Sequence, residues 1–191
     1  MIAAISLMRR QDTIGLSRFR RHWLDVHGPL VCAFPGLRRY VQCHVVDSLA
    51  ANEAGLNMRI DGFPILYFDS DAERTRAHGS AAMAACDVDS RHFVGAVSRV
   101  ITDVSGELRG NQGRFSLVEI WPEGIAPEPR PVHYQVREQG AAPNSTIPHL
   151  PITVGAVTQT WYDSLVDLEC AAAEMVDTTA ARFAVEEHWL A

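Results

Sequence analysis

In this 191-residue sequence, His27 and Tyr40 are the pair whose residue types and positions could move a proton. His27 follows Leu16, Phe19 and Trp23 on a helical pattern. At about 100° per residue it lies about 40° from Trp23 and about 20° from Leu16, on the stripe that faces a sheet. Desolvation there lowers the pKa of an imidazole and leaves it neutral, a general base in waiting. The same place also suits a purely structural histidine, because a side chain at a helix C-terminus can bond the free carbonyls and favour the dipole. Tyr40 lies on a strand whose alternation puts Tyr40, Gln42 and His44 on one face and Leu37, Val41, Cys43 and Val45 on the other. That polar face either lines a cleft or meets solvent. If it lines a cleft, His27 is the base and Tyr40 donates a hydrogen bond to a developing enolate oxygen. Phe19 and Trp23 are then the apolar walls, and Gln42 and His44 are further substrate contacts.

Other chemistries are excluded by composition. All 17 basic residues are Arg. Without a Lys there is no Schiff base, no covalent pyridoxal phosphate and no P-loop lysine. No G-x-S-x-G elbow or G-x-G-x-x-G loop is present, and the remaining histidines, His22, His78, His92, His133, His149 and His188, stand singly. His22 falls among arginines and is expected at the surface. The four cysteines, Cys32, Cys43, Cys86 and Cys170, form no C-x-x-C pair, so neither a zinc site nor a disulfide framework is expected, and a reducing, cytoplasmic compartment is. No metal and no cofactor is expected. The net charge of −6 has the wrong sign for gripping phosphates, and nucleic acid is not an expected partner. Residues 1–46 nonetheless carry +5 against −11 for the rest. That basic end either attracts an anion or is a solvated helix face with loop arginines. The N-terminus reads as a strand rather than a signal peptide, and no apolar run approaches a membrane span.

The elements that must position these groups follow from periodicity. Ile2 to Met8 is a strand, and Leu16 to Leu30 a helix with apolar Leu16, Phe19, Trp23, Val26 and Leu30. Ser17 is its expected cap and Gly28-Pro29 its expected end. Leu37 to Val46 and Phe63 to Phe68 are strands, with residues 47–61 a loop between them. A capping box, Ser70 to Glu73, opens a second helix running to Cys86, and Phe93 to Val104 is a fourth strand. The order β-α-β-β-α-β is ferredoxin-like.

A repeat then emerges. Tyr67-Phe68-Asp69-Ser70 is echoed by Trp161-Tyr162-Asp163-Ser164, each followed by an alanine-rich helix with a Cys and then a Phe-led strand; Phe115 to Trp121 matches the opening strand. The second copy has no room for a first helix, and the four prolines between Trp121 and Val132 would not support one. The expected organisation is therefore two ferredoxin-like units, 1–108 with an intact site and 113–191 with its first helix lost or shortened. Trp121, Trp161 and Trp189 are expected to fill the core of the second.

The segment FRRHWLDVHGPLVCAFPGLRRYVQ, with Trp23, His27, Gly28-Pro29, Pro35-Gly36-Leu37 and Tyr40, resembles the EthD family, as do the YFDS corner and the closing strand. The resemblance covers almost all of the first copy and the second from about residue 150. It implies a dimeric α+β barrel, here formed within one chain, and chemistry without metal or organic cofactor. It further implies an association with ether degradation, muconolactone-type isomerisation or dehydration. In the isomerases a His at the place of His27 and a Tyr at the place of Tyr40 are implicated, whereas their cysteines have no counterpart here. The expected function is thus proton transfer on a small carbonyl or carboxylate compound, aromatic or lactone-like. The alternative is a non-catalytic ligand-binding or accessory protein of an oxygenase pathway. No membrane partner is expected, and a fused pair leaves both a monomer and a homodimer open.

Overall fold

The computed structural model describes residues 1–49, 59–108, 114–140, 146–175 and 179–191. Eight strands form: β1 (Ile2–Arg10), β2 (Arg39–Ser48), β3 (Gly62–Phe68), β4 (Val94–Gly106), β5 (Phe115–Trp121), β6 (Val132–Gly140), β7 (Ala156–Tyr162) and β8 (Ala181–Trp189). They close into one antiparallel barrel in the order β1-β3-β2-β8-β5-β7-β6-β4, which leaves no edge strand to be capped. Strands β1 to β4 form one arc, ordered 4-1-3-2, and β5 to β8 form the other, ordered 8-5-7-6. Alternation sends Ile5, Leu7, Val41, Ile65, Val118 and Phe183 into the barrel core.

Outside the first arc lie α1 (Leu16–His22), a π-helical turn (Trp23–His27), α2 (Gly28–Cys32), α3 (Asp71–His78) and α4 (Ala81–Ser90); outside the second lies α5 (Leu165–Ala173). The proline-rich stretch 122–131 forms no helix. No helix among the described residues is long and apolar enough to cross a membrane.

Several local expectations are corrected. Gly15, not Ser17, stands at the start of α1, without a side-chain cap. Gly28-Pro29 does not end the helix, which continues to Cys32. A proline ring clashes with the carbonyl four residues back in a regular helix, and here the chain takes a π turn just before it. The Trp23 carbonyl then accepts from Gly28 N, five residues on. Gly28, without a Cβ, keeps helical angles before Pro29 (φ −52°, ψ −54°) that a larger residue would resist. The extra residue in that turn upsets the helical wheel beyond Trp23 and leaves Val26 exposed; Leu16, the first residue of α1, is exposed as well, while Phe19 and Trp23 are buried. The second helix is two. Gly79 ends α3, and the Ser80 hydroxyl accepts from Met83 N to start α4, as the Ser70 hydroxyl does from Glu73 N for α3. Strand β2 runs on to Ser48, and residues 50–58 of the expected loop lie outside the described residues.

Candidate active site

Tyr40, Gln42 and His44 face the helices, and Val41, Cys43 and Val45 face the barrel core. Between the helices and the outer face of β1, β3 and β4 lies a cavity of about 80 Å³, whose polar lining includes His27, Tyr40, His78, Asp87 and Arg99. The rest of its wall is mainly apolar, with Val31, Phe34, Leu66 and Met83.

His27 ends the π turn. Its Nδ1 is 2.9 Å from Oδ2 of Asp89 on α4, and His22 Nε2 is 2.9 Å from the other oxygen of the same carboxylate. A carboxylate only accepts, so His27 carries its proton on Nδ1 and keeps the Nε2 lone pair. Burial lowers the His27 pKa below its ordinary 6.5, and the bond and charge of Asp89 oppose that without cancelling it. The ring is therefore neutral at pH 7, set edge-on to Phe93 at 5.0 Å between centroids. His22, expected at the surface, is only 28% exposed because α4 docks against it.

Tyr40 is fully buried, and its Oη accepts from Trp23 Nε1 (3.2 Å) and from Gln42 Nε2 (3.0 Å). Two donors fill the acceptor side of the phenol, and its own proton is left to give. Burial pushes its pKa up, which keeps that proton in place. Phe19, Trp23, Gln42 and His44 do not line the cavity; they form the layer behind Tyr40. Gln42 Nε2 also donates to the Trp23 carbonyl at 2.8 Å, and Gln42 Oε1 bonds His44 Nε2 at 2.9 Å. His44 stacks on Trp23 at 4.5 Å and is held neutral, with its pKa pushed down to about 3 by burial and by His188. Phe19 packs on Trp23 and Phe93.

Three groups at or beside the cavity were not singled out from the sequence: Asp89, His78 and Arg99. Arg99 Nη1 lies 3.5 Å from His78 Nδ1, and Arg99 forms no ion pair among the described residues. His78 is pushed down to about 4 by burial and the charges of Arg99 and Arg74. Burial raises the Asp87 carboxyl above its ordinary value, with Arg99 pulling it back.

A second polar cluster lies inside the barrel. Glu187 Oε1 accepts from Ser116 Oγ (2.5 Å), Gln159 Nε2 (2.6 Å) and Trp161 Nε1 (2.9 Å), and Oε2 accepts from Trp189 Nε1 (3.0 Å). The alternation of β8 put an acid among inward apolar residues, Ala181, Phe183 and Val185, and could have signalled it. Trp121, also buried, bonds Thr158. All four cysteines are free. Among the described residues no three metal-binding side chains converge.

A closed α+β barrel with helices packed on its outer face, and a histidine at the end of one of them, defines the class: an α+β barrel protein with a cavity between helix and sheet. Residues 11–96 match the model of the EthD domain. The span holds His27, Tyr40, His78 and Asp89; Arg99 lies just beyond it. Among solved structures, an anthrone oxidase-like protein superposes on 99% of this chain and 93% of its own, with a TM-score of 0.63 at 7% identity, a likeness of fold. An EthD family protein from Bacillus halodurans C-125 aligns with 54% of this chain and 97% of its own, at 22% identity and a TM-score of 0.45. No curated protein matches the chain.

Proposed function

We propose that this protein acts on a small carbonyl or carboxylate compound by proton transfer without a bound cofactor, in an isomerisation or dehydration. His27 Nε2 takes a proton from carbon next to a carbonyl, the electron pair moves onto the carbonyl oxygen, and the Tyr40 hydroxyl stabilises that oxygen. The proton then returns to another carbon, or leaves with a hydroxyl as water. The observation that carries the reading is a neutral imidazole anchored by Asp89 on the same cavity as a phenol whose proton is uncommitted.

The reading includes two ferredoxin-like units, 1–108 and 113–191, the first holding the site. Its support is the matching strand order of the two arcs and the matching corners, where Ser164 caps α5 through Asp167 N as Ser70 caps α3. Four free cysteines support a reducing, cytoplasmic setting. The test is exchange of the α-protons of small cyclic ketones and enol lactones in D2O, followed by NMR. Exchange should fall about a hundredfold or more in His27→Ala. Exchange unchanged by that substitution overturns the proposal, and stoichiometric binding without exchange selects the non-catalytic binding protein.

A further inference from the structure

We propose that Arg99 and His78 form the carboxylate-receiving end of this cavity, so that the ligand is a small monocarboxylate. The inference rests on the preceding reading only for which end of the ligand reacts.

Arg99, half-buried, presents a planar set of N–H donors that fits a carboxylate. Several other arginines are paired with a carboxylate. Arg10 and Arg59 share Asp61, and Arg130 and Arg182 share Glu119. Arg99, on the wall of a largely apolar cavity, has a neutral histidine at 3.5 Å instead. Since the His78 Nδ1 accepts from Arg99, its proton sits on Nε2, which adds a second donor. Asp87 is the one carboxyl group on the lining, and it stands beyond the 4.0 Å of an ion pair with Arg99. Its own burial disfavours its charge.

A carboxylate seated on Arg99 also helps the chemistry at His27. Removing a proton next to an anion builds a second negative charge, and a fixed guanidinium in a low-dielectric cavity offsets it.

The experiment is titration calorimetry with propionate and benzoate against propionamide and benzamide. Wild-type protein should bind an acid about tenfold or more tighter than its amide, as expected of a charge-assisted pair. Arg99→Gln should abolish the difference, and Arg99→Lys should keep part of it. Equal binding of acid and amide by the wild type, or binding of neither, overturns the inference without any variant needing to fold. A preference that survives Arg99→Gln does so as well. Acid preference without proton exchange leaves the Arg99 site standing and removes the role of His27; exchange on neutral ketones without acid preference does the reverse.

Discussion

Replacing Asp89 by Asn tests the base directly, because Asp89 acts on His27 in two opposed ways. Its carboxylate fixes the imidazole through a 2.9 Å bond to Nδ1 and also raises the pKa of a ring that burial lowers. Both partners are little exposed, 12% and 13%, so solvent screens the pair only in part. When His27 takes a proton, the Nδ1 bond becomes one between opposite charges, worth about 1.5–3 kcal/mol. Its loss in the transition state corresponds to a fall in kcat/KM of about ten- to a hundredfold. An amide also offers either an oxygen or an NH2 to Nδ1, and the second choice turns the ring to the wrong tautomer. The pH profile separates this from damage to the fold. In the wild type the basic form is active, so kcat/KM rises with pH and levels off, with a midpoint below 6.5. With Asp89→Asn the largest influences that raised the pKa are gone and only the weaker one of Asp87 remains, so the midpoint should move further toward acid while the plateau drops. The assay is kcat/KM for α-proton exchange from pH 4 to 9, with His27 followed by NMR titration. A plateau that falls while the midpoint stays fixed, or moves toward alkali, refutes the reasoning.

Tyr40→Phe removes the hydroxyl that accepts from Trp23 and Gln42, and should lower exchange about a hundredfold while costing about 1–3 kcal/mol of stability in denaturant titration. Gly62→Ala would put a Cβ within 2.3 Å of the Trp23 ring, which His44 and Phe19 hold in place. It should destabilise by about 1–3 kcal/mol and weaken ligand binding with no change at any cavity residue. Glu187→Gln sets an amide N–H against the indole N–H of Trp189, a loss of about 1–3 kcal/mol, or about 2–10 °C in Tm for a chain of this size. Burial raises the Glu187 pKa above 4.5 despite its four donors, so the folded state favours the protonated acid. Its contribution to stability is full below pH 4.5 and declines as pH rises through the folded value. Glu187→Gln should flatten that decline in a series of melting curves from pH 4 to 8.

His27 and Tyr40 were legible because each stands in a strongly periodic segment, where residue type and phase together place a polar group against a core. The strands were legible for the same reason, and the missing helix between Trp121 and Val132 was legible from its prolines. Asp89 was not, because it lies 62 residues from His27 and joins it only when α4 docks on the π turn. Arg99 and His78 are 21 residues apart, and nothing local separates that arginine from the sixteen others. What marks it is its place on the cavity wall beside a neutral histidine, a property of the packed structure. The exposure of Val26 was misjudged because a wheel of 100° per residue does not hold across a π turn, whereas Leu16, ahead of that turn, is exposed as the first residue of α1. Pro29 was the signal for that turn, and it can equally be read as a helix end.

The two arcs of the barrel differ in how their polar groups are satisfied. On the second arc, no helix covers β5 from the stretch 122–131, and the outer face is finished by an ion cluster instead. Glu119 takes bonds from Arg130, Arg182 and Thr158, and although burial works against its charge, those bonds hold its pKa below 4.5. The charges there are largely spent on one another, although Arg182 Nη2 is left without a partner. On the first arc the helices exclude water over a mostly apolar wall, yet an arginine is left without a carboxylate, a histidine with a free lone pair and a tyrosine with a free proton. A single anionic ligand would engage all three at once. That makes the convergence of these three groups on one cavity the guide to what the protein binds.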